Sequence, residues 1–138
     1  MIHQSLKCHK AAILLGGHSS RMGGQPKFLL KDGKGQSYLK RQIKALEKAD
    51  RIYLSAADAT QLALIQNVYK DKDCYGLIDV VKDCGPLGGL YTVLQQLKDE
   101  DEWIFVTACD VPELTESMVG SLIQMSEDAY EQGYDCMV

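Results

Sequence analysis

Three short segments carry the side chains that are best suited to chemistry: residues 16–27, 83–89 and 110–112. The first combines glycines with the cations Arg21 and Lys27, and the other two begin with the carboxylates Asp83 and Asp110. Glycine-rich backbone and cations bind phosphates, and carboxylates bind divalent cations that bridge phosphate oxygens. Together they predict a site for a polyphosphate and a metal ion.

The glycine-rich segment follows a buried apolar run and is too rich in glycine for the interior of a helix or strand. Gly16 and Gly17 leave their backbone N–H groups open to a ligand that approaches closely. A tight surface turn with solvated basic side chains is the alternative. The presence of Ser20, Arg21 and Lys27 in the same loop favours phosphate binding. The spacing fits neither the Walker loop nor the G-x-G-x-x-G dinucleotide motif.

The two carboxylates each have a functional and a structural interpretation. Asp110 ends an apolar strand, so it could hold Mg²⁺ beside bound phosphates. It could equally cap the helix that follows. Asp83 could likewise be a turn former at the end of a strand.

A third unusual feature is the run of glycines between residues 85 and 89, where Pro86 marks the first turn of a helix. Gly88 and Gly89 each cost about 1 kcal/mol relative to alanine inside a helix. We therefore expect either another element or a ligand to approach this backbone closely.

Apolar runs that alternate with helical patterns must position these segments. Strands are predicted at 10–15, 51–56, 77–81 and 103–106, and 134–138 resembles the opening of a fifth strand. Helices are predicted at 38–48 (capped by Ser37), at 60–68, and around the apolar positions 87–97 and 118–129. This order predicts an α/β fold with a mostly parallel sheet, whose ligands bind at the carboxyl ends of the strands.

Length and composition limit the class of protein. The 138 residues suffice for one domain, assigned to 10–138 after a flexible leader at 1–9. The net charge of -4 argues against nucleic-acid and anionic-membrane partners, and the longest apolar run is far too short to span a bilayer. Five cysteines without a C-x-x-C pair indicate reduced thiols, and with no secretion signal we expect a cytoplasmic protein. A metal cluster of His3, Cys8 and His9 is the less favoured interpretation of the leader.

Three ordered motifs carry a family resemblance. Residues 14–23 (LLGGHSSRMG) followed by Lys27 resemble the L-A-G-G-x-S-x-R-M-G…K loop of the MobA-like nucleotidyltransferases. Asp83 with GPLGGL at 85–90 is similar to that family's D…G-P-L-x-G segment, and CDVP at 109–112 is similar to its C-D-x-P. Within the family, the similarity is greatest to molybdenum cofactor guanylyltransferases.

The resemblance implies a Rossmann-like three-layer α/β/α sandwich of the nucleotide-diphospho-sugar transferase type. It implies transfer of GMP from GTP to molybdenum-bound molybdopterin with release of pyrophosphate, with Mg²⁺ as cofactor. Other molybdenum cofactor assembly proteins are the further partners that it suggests.

The resemblance also implies roles for individual residues. The nucleotide would be contacted by the backbone at Leu14, Leu15, Gly16 and Gly17. Lys27 and Arg21 would neutralise the triphosphate, Asp83 would touch the nucleoside, and Asp110 would hold Mg²⁺ near the α-phosphate. No protein nucleophile is needed, because the acceptor phosphate attacks directly.

The sequence departs from the family pattern at three points. Leu15 replaces the usual alanine, Ser55 stands where asparagine is frequent, and the chain is shorter than family members. We therefore expect a C-terminally incomplete domain, whose missing C-terminal part would carry much of the molybdopterin half of the site. Alternatives are a cytidylyltransferase, a sugar-phosphate or isoprenoid nucleotidyltransferase of the same fold, or a non-catalytic nucleotide-binding partner domain.

Overall fold

The computed structural model describes residues 10–15, 21–22, 25–66, 73–98, 103–109, 111 and 113–137, with the backbone alone at 21–22 and 25–27. The strands are β1 (Lys10–Leu14), β2 (Arg21–Met22), β3 (Gln25–Pro26), β4 (Arg51–Ala56), β5 (Cys74–Ile78) and β6 (Ile104–Ala108). The helices are α1 (Tyr38–Ala45), α2 (Ala59–Leu64), α3 (Pro86–Gln96) and α4 (Glu116–Glu131), and a 3₁₀ turn spans Lys27–Leu29.

Four strands form a parallel sheet in the order β5-β4-β1-β6. Parallel strands need helical crossovers, which cover both faces of a sheet and leave its strands apolar. The side chains of β1 show this: Ala11 and Ile13 pack on one face, and Ala12 and Leu14 on the other. Helices α1 and α4 cover the first face and α3 covers the second, which confirms the three-layer α/β/α architecture.

The third strand lies three residues earlier than its prediction at 77–81, which was therefore wrong in its bounds. β5 spans Cys74–Ile78 because its partner β4 ends at Ala56, which is paired with Ile78. Beyond that point no neighbouring strand remains to pair with. The apolar letters of 77–81 thus mix the end of a strand with the loop that follows it.

The fifth strand predicted at 134–138 is also wrong for the residues that the structure describes. Residues 134–137 are exposed and not in a strand, and Val138 lies outside the described residues. The Tyr134 N–H donates to the Ala129 carbonyl (3.0 Å), and Gly133 has a positive φ of 89°. These features form a C-cap that ends α4. The backbone N–H of Tyr134 is therefore used by the helix end and does not pair with a strand.

Helix ends follow the local sequence rules. Ser37 caps α1 as predicted, since its Oγ accepts from the Lys40 N–H (3.1 Å). Asp58 caps α2 in the same way through the Gln61 N–H (2.8 Å). Among the described residues, no helix is long and apolar enough to cross a membrane.

Candidate nucleotide-binding site

The strand order creates a crevice between β1 and β6. The chain passes from β1 to β4 and β5 on one side, and then returns to place β6 on the other side of β1. Such a switch point leaves two loops pointing apart at the carboxyl ends of adjacent strands, which is where open α/β sheets bind ligands. Leu14 pairs with Ala108 across this junction, and the Cys109 N–H donates to the Leu14 carbonyl (3.1 Å).

The glycine loop and the C-D-x-P segment therefore leave the sheet side by side. Gly16, Gly17 and Asp110 themselves lie outside the described residues, so their contacts stay predictions. The alternative role of Asp110 as the cap of the following helix is wrong: α4 begins at Glu116, and Thr115 caps it by accepting from the Met118 N–H (3.2 Å). No helix cap thus competes for the Asp110 carboxylate at α4.

A short antiparallel ribbon brings the backbone of Arg21 close to that of the residue before Lys27. Strands β2 and β3 are antiparallel, and Arg21 pairs with Pro26, the residue before Lys27. This short ribbon was not predicted, because the glycines around it obscure a strand of only two residues. It returns the chain after the glycine loop, so that both cationic positions lie on one hairpin.

Leu15 connects the glycine loop to the sheet. Its side chain is fully buried in the core, as its replacement of the family's alanine requires. Its N–H donates to the Ser55 carbonyl (2.8 Å), and its carbonyl accepts a long bond from Gln61 Nε2 (3.4 Å). The Leu14 carbonyl likewise accepts one hydrogen bond, from Cys109. Since a carbonyl can accept two hydrogen bonds, both oxygens retain capacity for a ligand donor.

Asp79 is a buried carboxylate that the sequence analysis missed. It is the first residue after β5, only 6% exposed, and Ser55 Oγ donates a hydrogen bond to its Oδ1. Burial raises the pKa of Asp79, while the Ser55 hydrogen bond and the positive charge of Lys82 lower it by less. The sequence carried little signal for it, because Asp79 stands in the middle of residues 77–81, which were predicted to form a strand.

Asp83, the carboxylate that the motif resemblance selects, lies on an exposed turn four residues beyond Asp79. It has a φ of 59°, which is uncommon for a residue other than glycine, although aspartate tolerates it better than most. This geometry agrees with the turn-forming interpretation. A role of Asp83 at the nucleoside stays a prediction.

The glycines of α3 are explained by the elements that pack against its first turn. A Cβ on Gly89 would lie 2.6 Å from Ser55 Oγ, and one on Gly88 would lie 2.9 Å from the Val81 carbonyl oxygen. Of the two possibilities for this close approach, the structure thus provides a neighbouring element. Gly85, with a φ of 56°, begins the helix in a conformation that favours glycine.

Gln42 of α1 is a second polar residue that the sequence analysis missed. It is fully buried, and its Nε2 donates to the carbonyl oxygens of Ala108 (2.7 Å) and Val111 (2.9 Å). Its Oε1 has no hydrogen-bond partner among the residues that the structure describes. The signal that could have found it is a polar residue on the apolar face formed by Leu39 and Ile43.

Two comparisons with known proteins bear on the family and the fold of this chain. The model of the MobA-like NTP transferase domain matches residues 11–138. The chain belongs to that family. A crystal structure of Rv0371c from Mycobacterium tuberculosis H37Rv matches the fold with a TM-score of 0.62 at 18% identity, covering 86% of this chain and 60% of that one. The chain therefore spans three fifths of the length of that protein, and identity this low supports the fold alone.

A site for a nucleotide and one divalent cation at this edge stays a prediction, since Gly16, Gly17 and Asp110 lie outside the described residues. Mg²⁺ is commonly held by one or two carboxylates together with substrate phosphates. A single aspartate at position 110, next in the chain to Cys109 at the switch point, fits that donor set. Within the part of the chain that the structure describes, no group of three His, Cys, Asp or Glu side chains forms a separate metal site.

Proposed function

We propose that this chain binds a nucleoside triphosphate at the carboxyl edge of its sheet and transfers the nucleoside monophosphate to a phosphate acceptor. GTP is the proposed donor and molybdenum-bound molybdopterin the proposed acceptor. The observation that carries the proposal is the hydrogen bond from Cys109 N–H to the Leu14 carbonyl, because it joins the segments that lead into the two motif loops. Membership of the MobA-like NTP transferase family supports nucleotidyl transfer as the class of reaction.

The reaction needs no covalent intermediate on the protein. An oxygen of the acceptor phosphate attacks the α-phosphorus of the nucleotide, and the bond from that phosphorus to the bridging oxygen breaks. Pyrophosphate leaves with the electron pair. The backbone N–H groups of Gly16 and Gly17, together with Arg21 and Lys27, would bind the phosphates and stabilise the charge that develops on them.

Asp110 would hold Mg²⁺ against the phosphate oxygens. When bound, the ion offsets the negative charge that builds up as the α-phosphorus gains its fifth oxygen. The remaining electrostatic work falls to the two cations of the hairpin. Loss of the Asp110 carboxylate should therefore lower turnover far more than loss of an acidic residue outside the site.

The nucleoside end is assigned to β4 and β5, where Ser55 and Asp79 meet. β4 lies next to β1, and β5 lies next to β4. With about 4.8 Å between neighbouring strands, Ser55 and Asp79 are therefore within about two strand spacings of the loop that follows β1. Ser55 is fully buried and its hydroxyl is bound to Asp79, so the Asp79 carboxylate is the group assigned to the nucleoside where asparagine is usual at position 55 in the family. Asp83 is the alternative that the motif resemblance implies.

The first experiment is calorimetric titration of the chain with GTP, CTP and ATP, with and without Mg²⁺. We expect GTP to bind at least about 10-fold more tightly than the others, which is about 1.4 kcal/mol. Asp110→Ala should abolish the Mg²⁺ dependence, whereas the control Glu113→Ala, an exposed acid three residues further on, should behave like the parent chain. Preference for CTP would move the assignment to the cytidylyltransferases, and a folded chain that binds no nucleotide would contradict the proposal.

A matched pair of variants tests the nucleoside contact. Asp79→Asn and Asp83→Asn each remove one negative charge, but only the first lies at the end of a strand. We expect Asp79→Asn to weaken GTP binding by about 10-fold or more and Asp83→Asn to leave it within about twofold, since an exposed turn contributes little. The reverse ranking would return the nucleoside contact to Asp83.

A further inference from the structure

Gln42 has an environment that demands a hydrogen-bonding function. It is the polar residue among the four buried residues of α1, and it is surrounded by the apolar cluster that includes Leu39 and Ile43. Burying an amide without partners is costly, so a buried glutamine is retained where its hydrogen bonds hold something. Both hydrogens of its amide are used, one on Ala108 and one on Val111.

The two acceptors constrain the path of the chain after β6. Their carbonyl oxygens lie 2.7 Å and 2.9 Å from the same nitrogen. An extended chain would separate positions three residues apart by about 10 Å. The carbonyls of Ala108 and Val111 are therefore closer together than an extended chain would place them, and both are directed towards α1. We refer to Ala108, Cys109 and Val111 as the turn after β6.

The opposite side of this turn is attached to β1. The Cys109 N–H donates to the Leu14 carbonyl (3.1 Å), and the Leu114 N–H donates to the same Val111 carbonyl that Gln42 holds (3.3 Å). In the sequence, position 110 follows Cys109, whose N–H is bound to β1. It precedes Val111, whose carbonyl is bound to Gln42. The geometry fixes the two chain neighbours of the proposed metal-binding carboxylate from both sides.

The acceptor end of the same amide supports this interpretation. Gln42 Oε1 is buried and has no partner among the described residues. An apolar side chain of similar volume would avoid that cost, so the donor end must compensate for it. The two hydrogen bonds from Nε2 to the Ala108 and Val111 carbonyls therefore explain why a buried amide stands at position 42.

We propose that Gln42 is a positioning residue, which holds the turn after β6 in the conformation in which Asp110 meets Mg²⁺ and the nucleotide phosphates. This inference rests on the proposed function for its consequence in binding. Residues that orient a metal ligand without touching the metal commonly change metal affinity by about 10- to 100-fold. Gln42 reaches the turn from a helix, which restricts its movement more than a loop would.

The test compares Gln42→Met, which keeps the volume and removes both donors, with Ile43→Val, a buried control on the same helix that has no bond to the turn. In Gln42→Met we expect the Mg²⁺ concentration for half-maximal GTP binding to rise about 10-fold or more. Binding of GTP without Mg²⁺ should stay within about twofold of the parent chain, because Gln42 makes no bond to the glycine loop that would bind the phosphates. Ile43→Val should change neither value.

Amide hydrogen exchange supplies a readout that needs no nucleotide. We expect the amides of Cys109 and Leu114 to exchange about 10-fold faster in Gln42→Met, while the Leu15 amide on the other side of β1 keeps its rate. If Gln42→Met does not fold, Gln42→Asn keeps an amide on a side chain one carbon shorter, which loses reach to the two carbonyls, and should show the same changes.

Unchanged exchange at Cys109 and Leu114 would overturn the inference, whatever the nucleotide does. Faster exchange with an unaltered Mg²⁺ response would overturn the positioning role. A parent chain without any Mg²⁺-dependent nucleotide binding would overturn the proposed function and the consequence drawn for Gln42 together. Failure of the proposed function is distinguishable from failure of the Gln42 inference, because it is seen in the parent chain before any substitution is made.

Discussion

Replacing Gly89 by alanine would place a methyl group against the buried hydrogen bond between Ser55 and Asp79. The new Cβ would lie 2.6 Å from Ser55 Oγ and 3.3 Å from Leu14 Cδ2. The Ser55 hydroxyl cannot move easily, since Ser55 is fully buried and the hydroxyl is bound to Asp79. Either the first turn of α3 must shift away from the sheet, or the Ser55 hydroxyl must give up its bond.

The magnitude follows from two opposing contributions. Overpacking of a buried contact costs about 1 to 3 kcal/mol. Alanine is favoured over glycine in a helix by about 0.5 to 1 kcal/mol, which offsets part of that cost. The middle of these ranges leaves a net loss, so we expect Gly89→Ala to lower the free energy of unfolding by about 1 kcal/mol, or the melting temperature by about 4 °C for a chain of this size.

Thermal and urea unfolding of four chains would measure this effect: the parent, Gly89→Ala, Ser55→Ala and the double variant. Ser55→Ala removes the hydroxyl that the new methyl would meet, and the next contacts lie at 3.3 Å or beyond. In that background Gly89→Ala should be neutral or slightly stabilising, which gives a coupling of about 1 kcal/mol or more between the two positions.

A second glycine provides the matched control. Gly120 lies in α4, and a Cβ there would meet nothing within 4 Å. Gly120→Ala should therefore stabilise the chain by about 0.5 to 1 kcal/mol through helix propensity alone. If Gly89→Ala were as stabilising as Gly120→Ala, or equally costly with and without the Ser55 hydroxyl, the close packing of α3 on β4 would be refuted.

Two further predictions concern stability. Burial raises the pKa of the Asp79 carboxyl above the ordinary 3.8, so the folded chain binds the carboxyl proton more strongly than the unfolded chain does. The stability that this proton contributes is present below pH 3.8 and is lost as the pH rises through the raised pKa. Asp79→Asn should thus gain stability relative to the parent as the pH rises from 4 to 7 in urea titrations, and parallel curves for the two chains would contradict the burial argument. Ser37→Ala and Thr115→Ala should each cost about 1 kcal/mol by removing a helix cap, while Ser121→Ala on the exposed side of α4 should stay within about 0.5 kcal/mol; equal losses at all three positions in circular-dichroism melts would disprove the capping role.

Much of the fold could be predicted because strand and helix patterns are local. The apolar run after Lys10 and the cap at Ser37 predicted β1 and the start of α1 directly. The bounds of β5 could not be predicted, because they depend on where its partner β4 ends. The segment after Gly133 likewise has apolar letters, but its first N–H belongs to the cap of α4.

The candidate site was predictable to the extent that its residues stand in unusual local sequence. Glycines after a buried strand indicate the phosphate loop whatever the register. Asp79 and Gln42 lack such a signal, since one follows a strand whose end was misplaced and the other occupies one position of an amphipathic helix. Their roles depend on contacts across 24 and 66 residues of sequence, to Ser55 and Ala108 respectively, which only the tertiary structure brings together.

The buried polar residues show where this fold accepts a cost for the sake of geometry. Those that the structure describes are Gln42, Ser55, Asp79, Thr92 and Ser126. Ser126 bonds only within its own helix, to the Ile123 carbonyl. The other four hold chain immediately after a strand or fill the space beside it: Thr92, for example, accepts from the Val80 N–H (3.0 Å) and donates to the Gly88 carbonyl (2.8 Å).

This distribution is not what core stability alone would select. An apolar residue at each of the four positions would remove the desolvation cost of a polar group, and the amino ends of the same strands do without such groups among the described residues. Buried hydrogen bonds have directions, however, and apolar contacts have none. A sheet whose carboxyl edge must hold several loops in fixed positions around a charged ligand gains more from direction than it loses in burial, which is why we place the site along this edge from β6 to β5.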